Sequence, residues 1–418
     1  MYKKDTLQNG IRVVSEIIPH VRSVSLGIWV NVGARDESPG QGGISHFIEH
    51  MLFKGTKKRS ARDIAIEMDS MGGELNAFTS KEGTTYYVKV LDEHLPKAVE
   101  LLSDIFHNSV FDEKEIERER KVIVEEIKMV EDTPDDLVHE MFYETVWKGS
   151  PLGRPVLGTK KSVRSVTRDD FVSFMKRRYT PSEIVISAAG KFDRDRLLEM
   201  LEARFGGRKG RRDNSKKEPA SFTAGVNVQA RKLEQTHICL GVEALPYSHP
   251  DRFGMYALNT VIGSSMSSRL FQEIRERHAL AYSVYSYLTS LKDTGLFVVY
   301  AGVSPSRAPQ VVRLILKELK KVKSAGIGAD ELKKVKDQMK GNMVLGMENT
   351  YNRMSQLAKQ EMYLGRRYTL DDMLEQVERV DMALVDRLFG EAFIGRPMAM
   401  TALGPVDKHA LVAEMQEL

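Results

Sequence analysis

Three side chains that can bind or use a metal ion lie within five residues of the chain, in the pattern HxxEH at residues 46–50. On an α-helix, residues four apart lie nearly one above the other. His46 and His50 can therefore ligate one metal ion while Glu49 borders the same face. In outline, this arrangement is a catalytic zinc site.

The alternative interpretation is an amphipathic helix whose histidines lie at the surface or in a satisfied core, which is the ordinary case for a single histidine. The flanking residues argue against it, because Met51, Leu52 and Phe53 continue an apolar face and Gly55 is a natural helix stop. A short buried helix with two histidines and a glutamate needs partners for these polar groups. A metal ion would provide them.

Zinc held by two histidines needs a third protein ligand and an open position for water. A helix predicted over residues 112–130, with Asp112 as its N-cap, can supply that ligand. Glu119 and Glu126 are seven residues apart, close to two turns, and share one face. Both lie beside the apolar positions Ile116, Val122, Ile123, Ile127 and Val130. Without the HxxEH pattern, this segment would be interpreted as a solvated helix with intrahelical ion pairs.

The two segments together resemble the M16 metallopeptidases, which include pitrilysin, insulin-degrading enzyme and the mitochondrial processing peptidase. The inverted HxxEH order is that of the inverzincins. In this family a glutamate ligand follows the motif by about eighty residues, and another functional glutamate lies seven residues before it, as here. The resemblance implies one Zn²⁺ per chain, ligated by His46, His50 and Glu126. It also implies Glu49 as the catalytic base and Glu119 as a carboxylate that orients a ligand.

Two further parts of the chain resemble substrate-side elements of the same family. Arg275 and Tyr282 have the family's seven-residue spacing and are expected near the substrate; read alone, they would be a surface arginine and a strand tyrosine. Residues 72–79 resemble the family's edge strand. Asn76, Ala77 and Phe78 are therefore expected to bind an extended peptide through main-chain hydrogen bonds, although a plain helix end and strand would also explain the segment.

The coarse pattern of strands and helices predicts an α+β fold. Helices are predicted near 44–54, 61–71, 93–107, 112–130, 135–147 and 167–178, and strands near 24–32, 74–79, 84–90 and 184–189. Asn9-Gly10 predicts a type I′ hairpin turn. Residues 206–220 are basic and polar, which is typical of an interdomain linker, with a partner-docking patch as the alternative.

The two sides of this linker look like diverged copies. Thr79-Ser80 is echoed by Thr289-Ser290, and other paired segments keep an offset of 210 to 217 residues. The later copy has no HxxEH, and Met343 occupies the position that corresponds to Glu126. We therefore predict two homologous α+β domains, each a mixed, mainly antiparallel sheet packed with helices. The resemblance implies that together they form half of a clamshell chamber. Residues 1–210 are the active zinc-binding domain, and residues 221–418 are an inactive domain that contributes substrate-side residues.

Composition excludes several classes of partner and of metal site. The net charge of +4 is a small difference between 62 basic and 58 acidic residues, so nothing indicates a nucleic-acid partner. The single cysteine, Cys239, excludes intramolecular disulfides and a cysteine zinc cluster. No apolar signal segment or membrane-spanning run is evident, which predicts a soluble cytoplasmic protein with no membrane partner.

These observations predict a zinc-dependent endopeptidase that cleaves oligopeptides or flexible, unfolded polypeptide segments. The resemblance implies a dimer in which Arg275 and Tyr282 of one chain face the zinc of the other, and a heterodimer would serve equally well. Two other classes stay open. One is a non-catalytic scaffold or a subunit of a heteromeric processing peptidase, and the other is a metal-binding regulator without turnover.

Overall fold

The computed structural model describes residues 1–210 and 220–415, so most of the predicted linker at 206–220 lies outside the described residues. The strands are β1 Tyr2–Thr6, β2 Arg12–Ile17, β3 Ser23–Val30, β4 Glu74–Thr79, β5 Thr84–Leu91, β6 Ile184–Gly190, β7 Val226–Ala230, β8 Thr236–Ala244, β9 Ala281–Ser290, β10 Gly295–Val303 and β11 Ala399–Gly404.

The helices are α1 Ile44–Leu52, α2 Ala61–Ser70, α3 Leu95–Asn108, α4 Glu113–Asp132, α5 Pro134–Val146, α6 Lys160–Ser165, α7 Arg168–Arg178, α8 Arg194–Phe205, α9 Arg252–Ile262, α10 Ala308–Ala325, α11 Ala329–Gly346, α12 Thr350–Leu364, α13 Leu370–Glu378, α14 Met382–Phe393 and α15 Lys408–Met415. The predicted α+β class is confirmed. Within the described ranges, no helix is both long and apolar enough to cross a membrane.

The described residues form two compact units. The first unit contains residues 1–129, 154–210 and 346–367, and the second contains residues 130–153, 220–345 and 368–415. Each unit therefore includes one segment from the other half of the chain, residues 346–367 in the first unit and residues 130–153 in the second. Because compactness does not test common ancestry, the predicted division into homologous domains at 1–210 and 221–418 stays a prediction.

The sheet of the first unit has the strand order β1-β2-β6-β3-β5-β4. Only β2 and β6 run parallel; the other neighbours are antiparallel. The sheet of the second unit has the order β7-β11-β8-β10-β9, again with one parallel pair, β7 and β11. The order and directions of β2-β6-β3-β5-β4 are thus repeated in the second sheet. In both units the sheet is mixed and mainly antiparallel.

Each sheet is covered by a helix from the other half of the chain. In the first unit, α12 packs on β2, β3 and β6, where Met354 and Ala358 contact a core that includes Val14, Trp29 and Val185. In the second unit, α5 packs on β8 and β11 through a core that includes Phe142, Cys239 and Val298. A sheet that is apolar on both faces must be covered on both. These two helices meet that requirement.

The predicted hairpin at Asn9-Gly10 is present, but the type I′ assignment is wrong. The Gly10 N–H donates to the Leu7 oxygen at 2.9 Å, and Gly10 has a φ of +93°, whereas Asn9 does not have positive φ. A type I′ turn requires positive φ at both central residues. The Asn9 side chain instead accepts the Ile11 N–H at 3.2 Å, which favours a three-residue loop with a left-handed glycine.

Replacing Met354 by alanine is expected to destabilise the first unit by about 2–5 kcal/mol, because Met354 is fully buried between α12 and the sheet and its loss leaves a cavity. Met382→Ala is the control, because that side chain is 43% exposed. Urea unfolding of the full chain, followed by circular dichroism, measures both. Equal midpoints for the two variants would contradict the packing role of α12.

Candidate metal centre

The helix that carries the HxxEH pattern is fixed at its start by a glycine. Gly43 precedes α1 with φ +88°, and a Cβ atom at this position would lie 2.5 Å from the Leu157 oxygen. No other residue type fits there without strain. The apolar residues of α1 are fully buried, and helical periodicity places the remaining side chains His46, Glu49 and His50 on one partly exposed face. The buried apolar residues are Ile44, Phe47, Ile48, Met51 and Leu52.

The second contributing helix is α4, and its predicted N-cap is present. The Asp112 carboxylate accepts the N–H groups of Lys114 and Glu115 at 2.9 and 3.2 Å. Glu119 is buried and Glu126 is half-buried on the same face. The buried apolar positions are Ile116, Ile123, Val124 and Ile127. The prediction that Val122 is one of these buried apolar positions is wrong, because the residue is 43% exposed. Val122 lies four residues before Glu126, on the helix face that carries the Glu126 carboxylate.

The two helices bring His46, His50 and Glu126 together. One potential ligand atom from each lies within 4.8 Å of the others, and the imidazole Nε2 atoms of His46 and His50 are 3.8 and 3.6 Å from Glu126 Oε2. Within residues 1–210 and 220–415, this buried oxygen has no hydrogen-bond donor. A buried carboxylate oxygen without a donor, facing two imidazole nitrogens, fits a cation that takes nitrogen and oxygen ligands, such as Zn²⁺.

Glu119 joins the outer side of His50 to a lysine. One carboxylate oxygen of Glu119 is 3.0 Å from His50 Nδ1, and the other is 2.8 Å from Lys54 Nζ. A carboxylate at Nδ1 favours the tautomer with its proton there, which leaves Nε2 free as a ligand. His46 differs, because its buried Nδ1 has no partner in the part of the chain that the structure describes. The orientation of His50 is therefore fixed by more contacts than that of His46.

Burial keeps His46 neutral. Desolvation, with a smaller contribution from the neighbouring charge of His50, lowers the pKa of His46 to about 3. Neutral imidazole is the form that binds a metal ion, so proton competition at His46 is negligible at neutral pH.

Glu49 contacts the end of an edge strand and not the ligand cluster. Its Oε2 atom accepts a hydrogen bond from the Thr79 hydroxyl at 2.5 Å, and Thr79 is the last residue of β4. Burial raises the pKa of Glu49, while the Thr79 hydrogen bond and the charge of His50 lower it and the charge of Glu126 raises it. A carboxyl group with a raised pKa is suited to exchanging protons near neutral pH.

The predicted peptide-binding residues lie on β4, which is an edge strand of its sheet and pairs with β5. Asn76, Ala77 and Phe78 occupy its central part, and the Phe78 ring meets Trp29 edge-on at 5.7 Å between centroids. The outer side of β4 therefore presents main-chain groups to which another strand could add. Their substrate-binding role stays a prediction.

Arg275 and Tyr282 both belong to the second unit, whereas the three potential metal ligands belong to the first. The Arg275 guanidinium lies 4.6 Å from the ring centre of Tyr282 and 4.8 Å from that of Phe271, and it donates to the Tyr282 carbonyl oxygen at 3.0 Å. The Tyr282 side chain is 77% exposed. The pairing supports a joint role for the two residues, and that role also stays a prediction.

Sequence reasoning did not find Thr79 or Lys54 as members of this site. Lys54 follows His50 by four residues, so helical spacing could have placed it on the same side as His50. No pattern in the sequence indicates the Thr79–Glu49 contact, because it joins a strand end to a helix 30 residues earlier.

Comparison with known proteins points to one family. The chain matches the family described as Insulinase (Peptidase family M16) over residues 12–160 and the Peptidase M16 inactive domain over residues 165–339. It is 42% identical to the uncharacterized zinc protease YmxG of Bacillus subtilis (strain 168), over 94% of this chain and 96% of that protein. It is 41% identical to the uncharacterized zinc protease SCO5738 of Streptomyces coelicolor, over 98% and 91% of the two chains.

The fold is also found in a crystal structure of a protease from Helicobacter pylori. The TM-score is 0.90 at 24% sequence identity, and the match covers 97% of this chain and 99% of that one. At this level of identity the likeness concerns the fold alone.

Glu119→Gln is expected to weaken zinc affinity by about 10- to 100-fold, because the variant loses the charged acceptor that orients His50. Glu117→Gln is the matched control. Glu117 lies on the same helix, its side chain is 66% exposed, and it forms an ion pair with Arg120. Competition with a chromophoric chelator measures both affinities. An unchanged affinity in Glu119→Gln would contradict the orienting role.

Proposed function

The chain belongs to peptidase family M16, and from this membership and the geometry of the metal centre we propose that it is a zinc-dependent endopeptidase. The observation that carries the proposal is the donor-free Glu126 oxygen between two imidazoles, with Glu49 on the same helix face as those imidazoles. A scaffold needs neither a cation-shaped set of ligands nor a nearby carboxyl group of raised pKa.

His46, His50 and Glu126 would hold one zinc ion per chain. The chemistry that such an ion supplies is Lewis-acid activation of a water molecule for attack on a peptide carbonyl. Glu49 would act as the general base, accepting the proton of the attacking water and donating it to the leaving amine. Thr79 holds one oxygen of Glu49, so the other oxygen is left to exchange the proton. Glu119 and Lys54 keep His50 in the orientation that the ligand set requires.

The substrates we propose are oligopeptides and flexible, unfolded polypeptide segments. An extended peptide can add to the outer edge of β4 along Asn76, Ala77 and Phe78 through main-chain hydrogen bonds, with the Asn76 side chain releasing the Ala77 N–H that it now accepts at 2.8 Å, and this mode tolerates many side chains. A folded domain cannot present its backbone in this way, because its own hydrogen bonds occupy the same groups.

We further propose that a second chain completes the site. Arg275 and Tyr282 would reach the substrate from the partner, with Tyr282 donating a hydrogen bond to the oxyanion and Arg275 binding the substrate backbone. The ring of Tyr282 is exposed and held against the Arg275 guanidinium, as a pair that meets a ligand in solution would be.

Glu49→Gln is expected to reduce kcat by about 10²- to 10⁴-fold, because the amide cannot accept the proton. Zinc content should stay at the wild-type level, because Glu49 is not one of the three ligands. Turnover of quenched oligopeptides and metal analysis on the same preparations measure both. Equal turnover by both proteins would mean a contaminating peptidase and end the assignment. If neither zinc-loaded protein is active, a scaffold or a missing partner subunit is favoured.

Mixing two inactive variants tests the site in trans. In a dimer of Glu49→Gln with Tyr282→Phe, one of the two sites has native Glu49 from one chain and native Tyr282 from the other. Random pairing of equal amounts makes half of the dimers mixed, so about one quarter of wild-type activity is expected. Each variant mixed with itself is the control. If the mixture stays as inactive as its components, a homodimer completed in trans is wrong.

A further inference from the structure

A short loop before α1 contacts both of the elements that meet at Glu49. These elements are α1, which carries His46, Glu49 and His50, and the connection from β4 to β5, which begins directly after Thr79. The loop consists of residues 33–37, and the contacts described below join it to residues of the first unit.

At one end of the loop, the Glu37 carboxylate binds the start of α1 with both oxygens. Oε2 accepts the Gly43 N–H at 2.7 Å, and Oε1 accepts the Ser45 N–H at 2.8 Å. Gly43 has no side chain that could cap the helix, so Glu37 supplies the acceptors that a capping residue would normally provide. Its negative charge also lies at the positive end of the helix dipole.

At the other end, the loop is fixed to the β4–β5 connection. The Ala34 and Arg35 N–H groups donate to the oxygens of Ser80 and Lys81 at 3.1 and 2.8 Å. Arg35 also forms an ion pair with Glu82 at 2.7 Å, and both side chains are almost fully buried. The approach is close: a Cβ atom on residue 33 would lie 2.4 Å from the Ser80 oxygen, so only glycine fits.

Burial of the Glu37 side chain disfavours its ionised form. Its residue is 4% exposed, and burial raises the pKa of its carboxyl group to about 7, against the lowering effects of the Gly43 and Ser45 hydrogen bonds and of the Arg154 charge. Arg154 donates to the Glu37 carbonyl oxygen at 2.9 Å, and Lys81 donates to the Arg154 oxygen at 2.6 Å. An ionised carboxylate in this position is less stable than in water. Stability alone would favour a neutral residue.

We infer that Glu37 is a positioning residue of the active site, whose carboxylate sets the place of α1, and with it Glu49, relative to Thr79 and the edge strand β4. A carboxylate suits this task because it accepts two N–H groups at once, whereas an amide offers one acceptor oxygen. The inference rests on the proposed peptidase function for its effect on turnover. Its structural content, a fixed α1, does not depend on turnover.

The expected effect on catalysis follows from the geometry. Glu49 contacts Thr79 through one hydrogen bond at 2.5 Å, so a small movement of α1 changes the position of the proton acceptor. Misplacement of a reacting group by about 1 Å can cost about 100-fold in rate. The proposed substrate edge is the main chain of β4, and the Glu37 carboxylate bonds to N–H groups at the start of α1 and not to that strand, so KM should change little.

The test compares Glu37→Gln with Glu361→Gln. Glu361 is an equally buried glutamate of the same unit, paired with Lys4 and Arg12, and it receives the same substitution away from the metal centre. Hydrogen exchange of the α1 amides, read by mass spectrometry, should accelerate in Glu37→Gln and not in Glu361→Gln. The visible absorption of the Co²⁺-loaded protein should shift in Glu37→Gln alone, because it reports the ligand geometry. Glu37→Asp, which keeps the charge but shortens the side chain, replaces Glu37→Gln if that variant does not fold.

Turnover gives the third measurement. We expect kcat of Glu37→Gln to fall by about 10- to 100-fold with KM within about twofold, and Glu361→Gln to stay within about twofold of wild type. A double-mutant cycle with Thr79→Val should be non-additive in kcat, because both residues act through the position of Glu49. Unchanged α1 exchange in Glu37→Gln, or equal acceleration in both variants, would overturn the inference. If the wild type has no turnover, that result bears on the proposed function alone, and the exchange and absorption measurements still decide whether Glu37 fixes α1.

Discussion

The main constraint on the first unit is that polar, partly buried side chains of the helices α1 and α4 face each other. His46 and His50 on α1 point their Nε2 atoms at one oxygen of Glu126 on α4, and that oxygen has no donor among the described residues. A buried acceptor without a donor is unfavourable, and a bound cation or a movement of the helices apart would relieve it. The apolar faces of both helices are buried and oppose such a movement. The ligand set is thus kept ready for a metal ion.

The contacts around this cluster fall into two groups with different tasks. Glu119 and Lys54 act on His50 from its outer side and determine which nitrogen carries the proton. Thr79 donates to the side chain of Glu49, and Glu37 accepts the first N–H groups of α1. The first group contacts a potential ligand, and the second contacts the helix that carries Glu49. Both use charged or hydroxyl groups, because apolar contacts lack the directionality that such placement requires.

The repeated strand order shows how one architecture can serve two tasks. Both sheets have one parallel pair and the same sequence of antiparallel neighbours, yet the three potential ligands belong to the first unit alone among the described residues. The sequence repeat predicts that Met343, which lies on α11, corresponds to Glu126 on α4, and the second unit contains the Arg275–Tyr282 pair. Strand order is maintained by apolar packing on both sheet faces, which leaves the exposed positions free to differ.

The sequence by itself determined the α+β class and the family, and it predicted the three potential ligands that the structure brings together, because these properties follow from residue spacing and local periodicity. His46, Glu49 and His50 needed only a helix of 3.6 residues per turn to share a face. Local patterns gave two wrong predictions. Val122 has an apolar side chain but is exposed, and the loop at Asn9-Gly10 is one residue longer than the dipeptide predicts. Only the tertiary structure decided that α5 and α12 cover sheets of the other half of the chain, and that Thr79 contacts Glu49, Lys54 contacts Glu119, and Glu37 contacts the start of α1. No local pattern encodes these contacts. The packing of α12 and the contacts of Thr79, Glu119 and Lys54 join segments that lie 30 or more residues apart. The Glu37 contact is shorter in sequence but crosses a loop.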